Sequence, residues 1–69
     1  MDMVKVNSGA VDSIGYENGT LRVNYKSGVP YDYHDVPEEM HKNIMASDSV
    51  GKALRALIHG QYSFTKHEG

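Results

Sequence analysis

A chain of 69 residues holds one hydrophobic core, so it is read as a single domain spanning residues 1–69. It has no cysteine, which excludes disulfides and thiolate metal sites. Its seven Lys and Arg stand against nine Asp and Glu, for a net charge of −2, whereas a long nucleic-acid tract takes about 6–10 phosphate contacts; the balance leaves room for a small phosphate-bearing ligand.

The charge is uneven along the chain. Residues 1–30 balance, residues 31–48 carry Asp32, Asp35, Glu38, Glu39 and Asp48 against Lys42, and the remainder carries Lys52, Arg55 and Lys66 against Glu68. The positive potential therefore belongs to the C-terminal third. A core this small contributes only about 3–5 kcal/mol by itself, so a homo-oligomer is the expected extra source of stability. No apolar run is long enough for a signal peptide or membrane span, and a cytoplasmic location without membrane contact is expected.

In chain order, Val4-Lys5-Val6 alternates and is either a short fourth strand or a segment draped over the core. Asn18-Gly19 is the strongest hairpin signal, a two-residue turn with positive φ at both positions. Counting outward from it sets Tyr16 opposite Leu21, Ile14 opposite Val23 and Asp12 opposite Tyr25, with the apolar residues on one face and Ser13, Gly15, Arg22, Asn24 and Lys26 on the other. Pro30 favours a loop of three or five residues around Ser27-Gly28. An odd loop returns Tyr31 and Tyr33 to the face of Val23 and Tyr25, whereas an even one turns them to solvent.

From Asp35 the period becomes helical. Asp35 and Glu38 match a capping box with Pro37 at the entry, and Met40 and Ile44 mark an amphipathic helix ending near Ala46. Ser49 is the expected N-cap of a second helix that runs to about His59 with Val50, Leu54, Leu57 and Ile58 on one stripe, and Gly60 is its expected C′ residue. Gln61 to Phe64 should dock on the core, and the residues beyond should fray.

Ser27-Gly28, Tyr31-x-Tyr33 and Val36-Pro37, followed by Ser49-x-Gly51, Ile58, Gly60 and Tyr62, resemble the KTSC domain over roughly Val4 to Phe64. That family occurs at the C-terminus of some lysyl-tRNA synthetases and as free-standing proteins of bacteria and phages. The resemblance implies an RNA-linked role, through attachment to a synthetase. Family members are typically richer in Arg and Lys along the second helix, where this chain has Ala53, Ala56, His59 and Gln61, which thins the surface RNA would use.

Two constellations bear on chemistry. Tyr31 and Tyr33, at i and i+2 on one strand face, fit either core packing with hydroxyls at the surface or a stacking platform for bases. Lys52, Arg55 and His59, at i, i+3 and i+7, share one side of the second helix, as either a solvated face or a small anion site in which Arg forks onto a phosphate. Asp32, His34 and His41 form no paired metal-ligand spacing, so no metal is expected. Without a G-x-S-x-G elbow or a phosphate-loop spacing, neither an enzyme nor a cofactor is expected.

These readings give an α+β fold, an antiparallel sheet of three strands, with Val4-Lys5-Val6 as a candidate fourth, and two C-terminal helices packed on one face. The expected function is non-enzymatic binding of small phosphate-bearing nucleotides, cyclic dinucleotides foremost. The expected assembly is a homo-oligomer that joins Tyr31 or Tyr33 of one subunit to Lys52, Arg55 or His59 of another. In a phage setting, by analogy with other short phage proteins, such a binder would sequester cyclic-nucleotide signals in the host cytoplasm. The alternatives are an RNA-binding accessory module, or a ligand-free protein-interaction module that offers its acidic segment from Asp32 to Asp48 to a basic partner.

Overall fold

In the computed structural model, which describes residues 1–67, seven elements follow one another. They are β1 (Met3–Lys5), β2 (Val11–Glu17), β3 (Thr20–Tyr25), β4 (Pro30–Tyr33), α1 (Glu38–Met45), α2 (Val50–Leu57) and β5 (Phe64–Lys66). The strands form one antiparallel sheet in the order β1-β2-β3-β4-β5. None of the described helices is long and apolar enough to cross a membrane.

The β2–β3 turn follows from its sequence. Asn18 and Gly19 both take positive φ, 50° and 81°, which matches the right-handed twist of the flanking strands. Tyr16 pairs with Leu21 and Ile14 with Val23, as counted from the turn. Asp12 does not pair with Tyr25, however: the register shifts between Val11 and Ser13, and Val11 takes that place. Strict alternation would send Asp12 inward and Val11 outward. The bulge exchanges them, so that Val11 is 1% exposed while Asp12 faces water.

Between β3 and β4, Asn24 pairs with Pro30 and leaves an odd loop of residues 25–29. Val23 then meets Tyr31, and Leu21 meets Tyr33, on the core face. Gly28 supplies the loop's left-handed residue at φ 98°.

The capping box at Asp35 is not formed. Asp35 itself is left-handed at φ 57°, and Pro37 caps α1 with extended backbone and no side-chain bond. The reason is Val36: it is buried, its N–H donates to the Gly19 carbonyl at 2.8 Å, and its carbonyl accepts the Tyr16 hydroxyl. Turning Val36 into the core swings the Asp35 side chain away from the first turn. Ser49 does cap α2, accepting from Lys52 N–H at 3.4 Å. That helix stops at Leu57, short of His59, because the Ile58 and His59 N–H groups both go to the Leu54 carbonyl before Gly60 turns at φ 77°.

The sheet has five strands rather than three or four. β1 supplies the candidate fourth strand, while Phe64, expected to dock on the core but 54% exposed, and Lys66, expected to fray, pair with Tyr33 and Tyr31 of β4. Further bonds extend that pairing at both ends, from His34 N–H to Ser63 and from His67 N–H to Pro30. A strand of three exposed residues has no hydrophobic period to read, yet it satisfies backbone groups that β4 would otherwise leave open.

Both helices cover one face of the sheet. Ile44, Val50, Leu54 and Ile58 pack there on Val11, Ile14, Leu21, Val23 and Tyr33. The other face is polar where it is buried. Asp32, 7% exposed, accepts two bonds from Arg22 at 2.7 and 2.9 Å and one from His67 at 2.9 Å, and Asn24 donates to Ser13 at 3.1 Å. Hydrogen bonding from Arg22 holds the Asp32 carboxyl at about 2, against the opposing effect of burial and with help from His67.

Candidate anion-binding site

Periodicity in α2 puts Val50, Leu54 and Ile58 inward and leaves Lys52 and Arg55 outside, with His59 just past the helix end. All three polar residues line one groove of about 400 Å³, whose opposite wall is the loop Ser8-Gly9-Ala10 and whose end is Tyr25. That loop is held in shape by Ser8, whose hydroxyl oxygen accepts the N–H groups of Ala10 and Val11 at 3.3 and 3.4 Å. The loop meets the helix at Gly51, where an added Cβ would stand 3.6 Å from Ser8 Oγ, an ordinary van der Waals contact. The cationic stripe thus runs along one side of this groove, with all three side chains exposed.

His59 is fixed by two tyrosines. Its Nε2 lies 3.0 Å from the Tyr25 hydroxyl and 3.4 Å from that of Tyr33, and the two hydroxyls are 3.2 Å apart. Burial raises the pKa of both tyrosines, and for Tyr25 the bond to Tyr33 raises it further. Both therefore stay protonated across the physiological range. Whether Nε2 accepts or donates here depends on the tautomer, and in either case Nδ1 is the ring's remaining polar atom.

The five residues expected in the site are not equivalent. Lys52, Arg55 and His59 converge as the helical spacing requires. Tyr33, 3% exposed, belongs to the core and reaches His59 through its hydroxyl and a tilted ring contact with 6.0 Å between centroids. Tyr31 is half-buried and lines a neighbouring groove of about 490 Å³ with Tyr25, Ser27, Val29, His59 and Lys66. Tyr25 and His59 form the wall between the two grooves. Tyr25 was legible only as a core residue, since a strand-end position says nothing of the helix it meets. Among the described residues no cluster of His, Asp and Glu is arranged to hold a metal ion.

The KTSC domain family profile matches residues 7–62. The chain belongs to the KTSC domain family. It is similar to a crystal structure of a KTSC domain protein from Yersinia pestis, with a TM-score of 0.90 and 31% identity over 97% of each chain. Two further relatives are a protein of Stutzerimonas stutzeri, 31% identical over 64 residues and 90% of each chain, and a protein of Tsukamurella paurometabola, 28% identical over 58 residues, 81% of this chain and 87% of that one. The matched KTSC segment begins just before the Ser8 loop and ends at Tyr62, so it contains the whole cationic groove and stops short of β5.

Proposed function

We propose that this KTSC domain is a non-enzymatic binding module for small phosphate-bearing nucleotides, with the phosphate held by Lys52 and Arg55. The observation that carries this reading is the groove itself, in which two cations and an imidazole stand opposite a loop on a chain of net charge −2. A guanidinium can fork onto a phosphate, and an ammonium can serve it as a point charge. The groove lies within the size range of small-ligand pockets. A homo-oligomer remains part of the proposal, since acidic α1 and basic α2 give each protomer patches of opposite sign.

Calorimetric titration with a panel of cyclic dinucleotides and a short single-stranded RNA tests it. Nucleotide binding that falls about ten- to hundredfold in Arg55→Ala and in Lys52→Ala is expected, the loss of one charge-assisted contact. Binding of RNA alone, falling steeply with salt, replaces this reading with the accessory module. No heat with either ligand class removes both.

A further inference from the structure

The second groove is chemically unlike the first. Its walls are the half-buried ring of Tyr31 and, at 82° to it with 5.2 Å between centroids, the ring of Tyr25. Behind Tyr31 the aromatic surface continues into Tyr33 at 6.2 Å and Phe64 at 5.4 Å. Lys66 Nζ lies over the Tyr31 ring, 5.9 Å from its centroid, and the lining is completed by Ser27, His59 and the aliphatic Val29. An inorganic anion gains nothing from two phenol rings, and an apolar peptide finds one aliphatic wall. A flat heterocycle that takes the place of the Lys66 ammonium over Tyr31 gains a π-face, with a hydroxyl and the displaced ammonium near its polar edge.

We infer that this groove is the base subsite of the same ligand, so that a single protomer holds a whole nucleotide. Its phosphate lies on Lys52 and Arg55, and its base lies against Tyr31 and Tyr25. The inference rests on the phosphate reading above and deepens it. The two grooves share Tyr25 and His59, which a 3.0 Å hydrogen bond joins. A sugar bridging that wall connects the subsites. The pairing of a tyrosine from one subunit with cations from another, expected from sequence, is thereby unnecessary: both belong to one chain, and Lys66 of β5 joins them.

The test uses two probes on the intact chain: inorganic pyrophosphate, which engages the cations alone, and 2-aminopurine riboside 5′-monophosphate, whose fluorescence is quenched when its base stacks. Expected are quenching on binding, a stoichiometry of one nucleotide per chain, and tighter binding of the nucleotide than of pyrophosphate. Tyr31→Ala should weaken the nucleotide about tenfold or more, the loss of one base–aromatic stack, while its pyrophosphate affinity, which also reports that the variant is folded, stays unchanged. Tyr31→Phe, which keeps the ring, should bind the nucleotide as wild type does. Equal affinity for the two probes without quenching overturns the base subsite and leaves the anion site standing. One nucleotide per two chains overturns completeness within a protomer. Failure of wild type to bind either probe removes the phosphate reading, and the base subsite with it.

Discussion

The Tyr25 hydroxyl and His59 Nε2, 3.0 Å apart, tie the end of β3 to the residues that follow α2. This bond closes the wall between two grooves and joins residues 34 positions apart in sequence. Tyr25→Phe should therefore lower stability by about 1 kcal/mol, the usual net worth of one hydrogen bond. His59→Ala in the Tyr25→Phe background should then cost less than in wild type. A double-mutant cycle by urea denaturation measures the coupling.

The bulge at Asp12 assigns unequal weights to neighbouring residues. Val11→Ala should cost about 2 kcal/mol through lost burial and a residual cavity, while Asp12→Ala should stay within about 0.5 kcal/mol. Chemical denaturation of the two variants checks this. A larger loss at Asp12 would place that side chain inside and restore the unbulged register.

Asp32 makes stability depend on acid. Its folded-state pKa is depressed to about 2, from an unfolded value of 3.8, so between those values the unfolded chain binds more protons than the folded one. The Asp32 contribution is fully present above about pH 4 and is lost as pH falls through about 2. The urea midpoint should fall over that interval, and the fall should be shallower in Asp32→Asn, which has no carboxylate there to titrate. The difference between the two profiles isolates this group from the exposed carboxylates.

Gly19→Ala forces a Cβ onto a residue at φ 81° and should cost about 1–2 kcal/mol. A variant at Gly9, where an added Cβ meets no atom within 4 Å, is the control and should change little. Thermal melts of both check this.

Where local chemistry decides, the structure was legible in the sequence. Asn18-Gly19 set the hairpin, and Pro30 favoured the odd loop that brings Tyr31 and Tyr33 to the core face. Ser49 announced α2, and the spacing of Lys52, Arg55 and His59 placed them on one side. Where two local signals competed for a tertiary position, reading failed: the core took Val11 at the expense of strand alternation and Val36 at the expense of the Asp35 capping box. The groove also lay beyond reach. Its far wall is the Ser8 loop, its end is Tyr25, and nothing in the α2 pattern indicates what stands opposite. β5 escaped because three exposed residues gain their conformation from the edge of β4.

That late pairing has a kinetic consequence. Strands β1 to β4 neighbour one another in both sequence and space, so each pairing closes a short loop. β5 reaches Tyr31 and Tyr33 only by closing the much longer loop that holds both helices, which makes its pairing the slowest to gain. The protein is thus built to zip quickly along most of its length and to fasten one seam last. The amides of β5 should exchange with deuterium ahead of those in β2 and β3, and because Lys66 sits on that seam, a nucleotide spanning both grooves should slow their exchange.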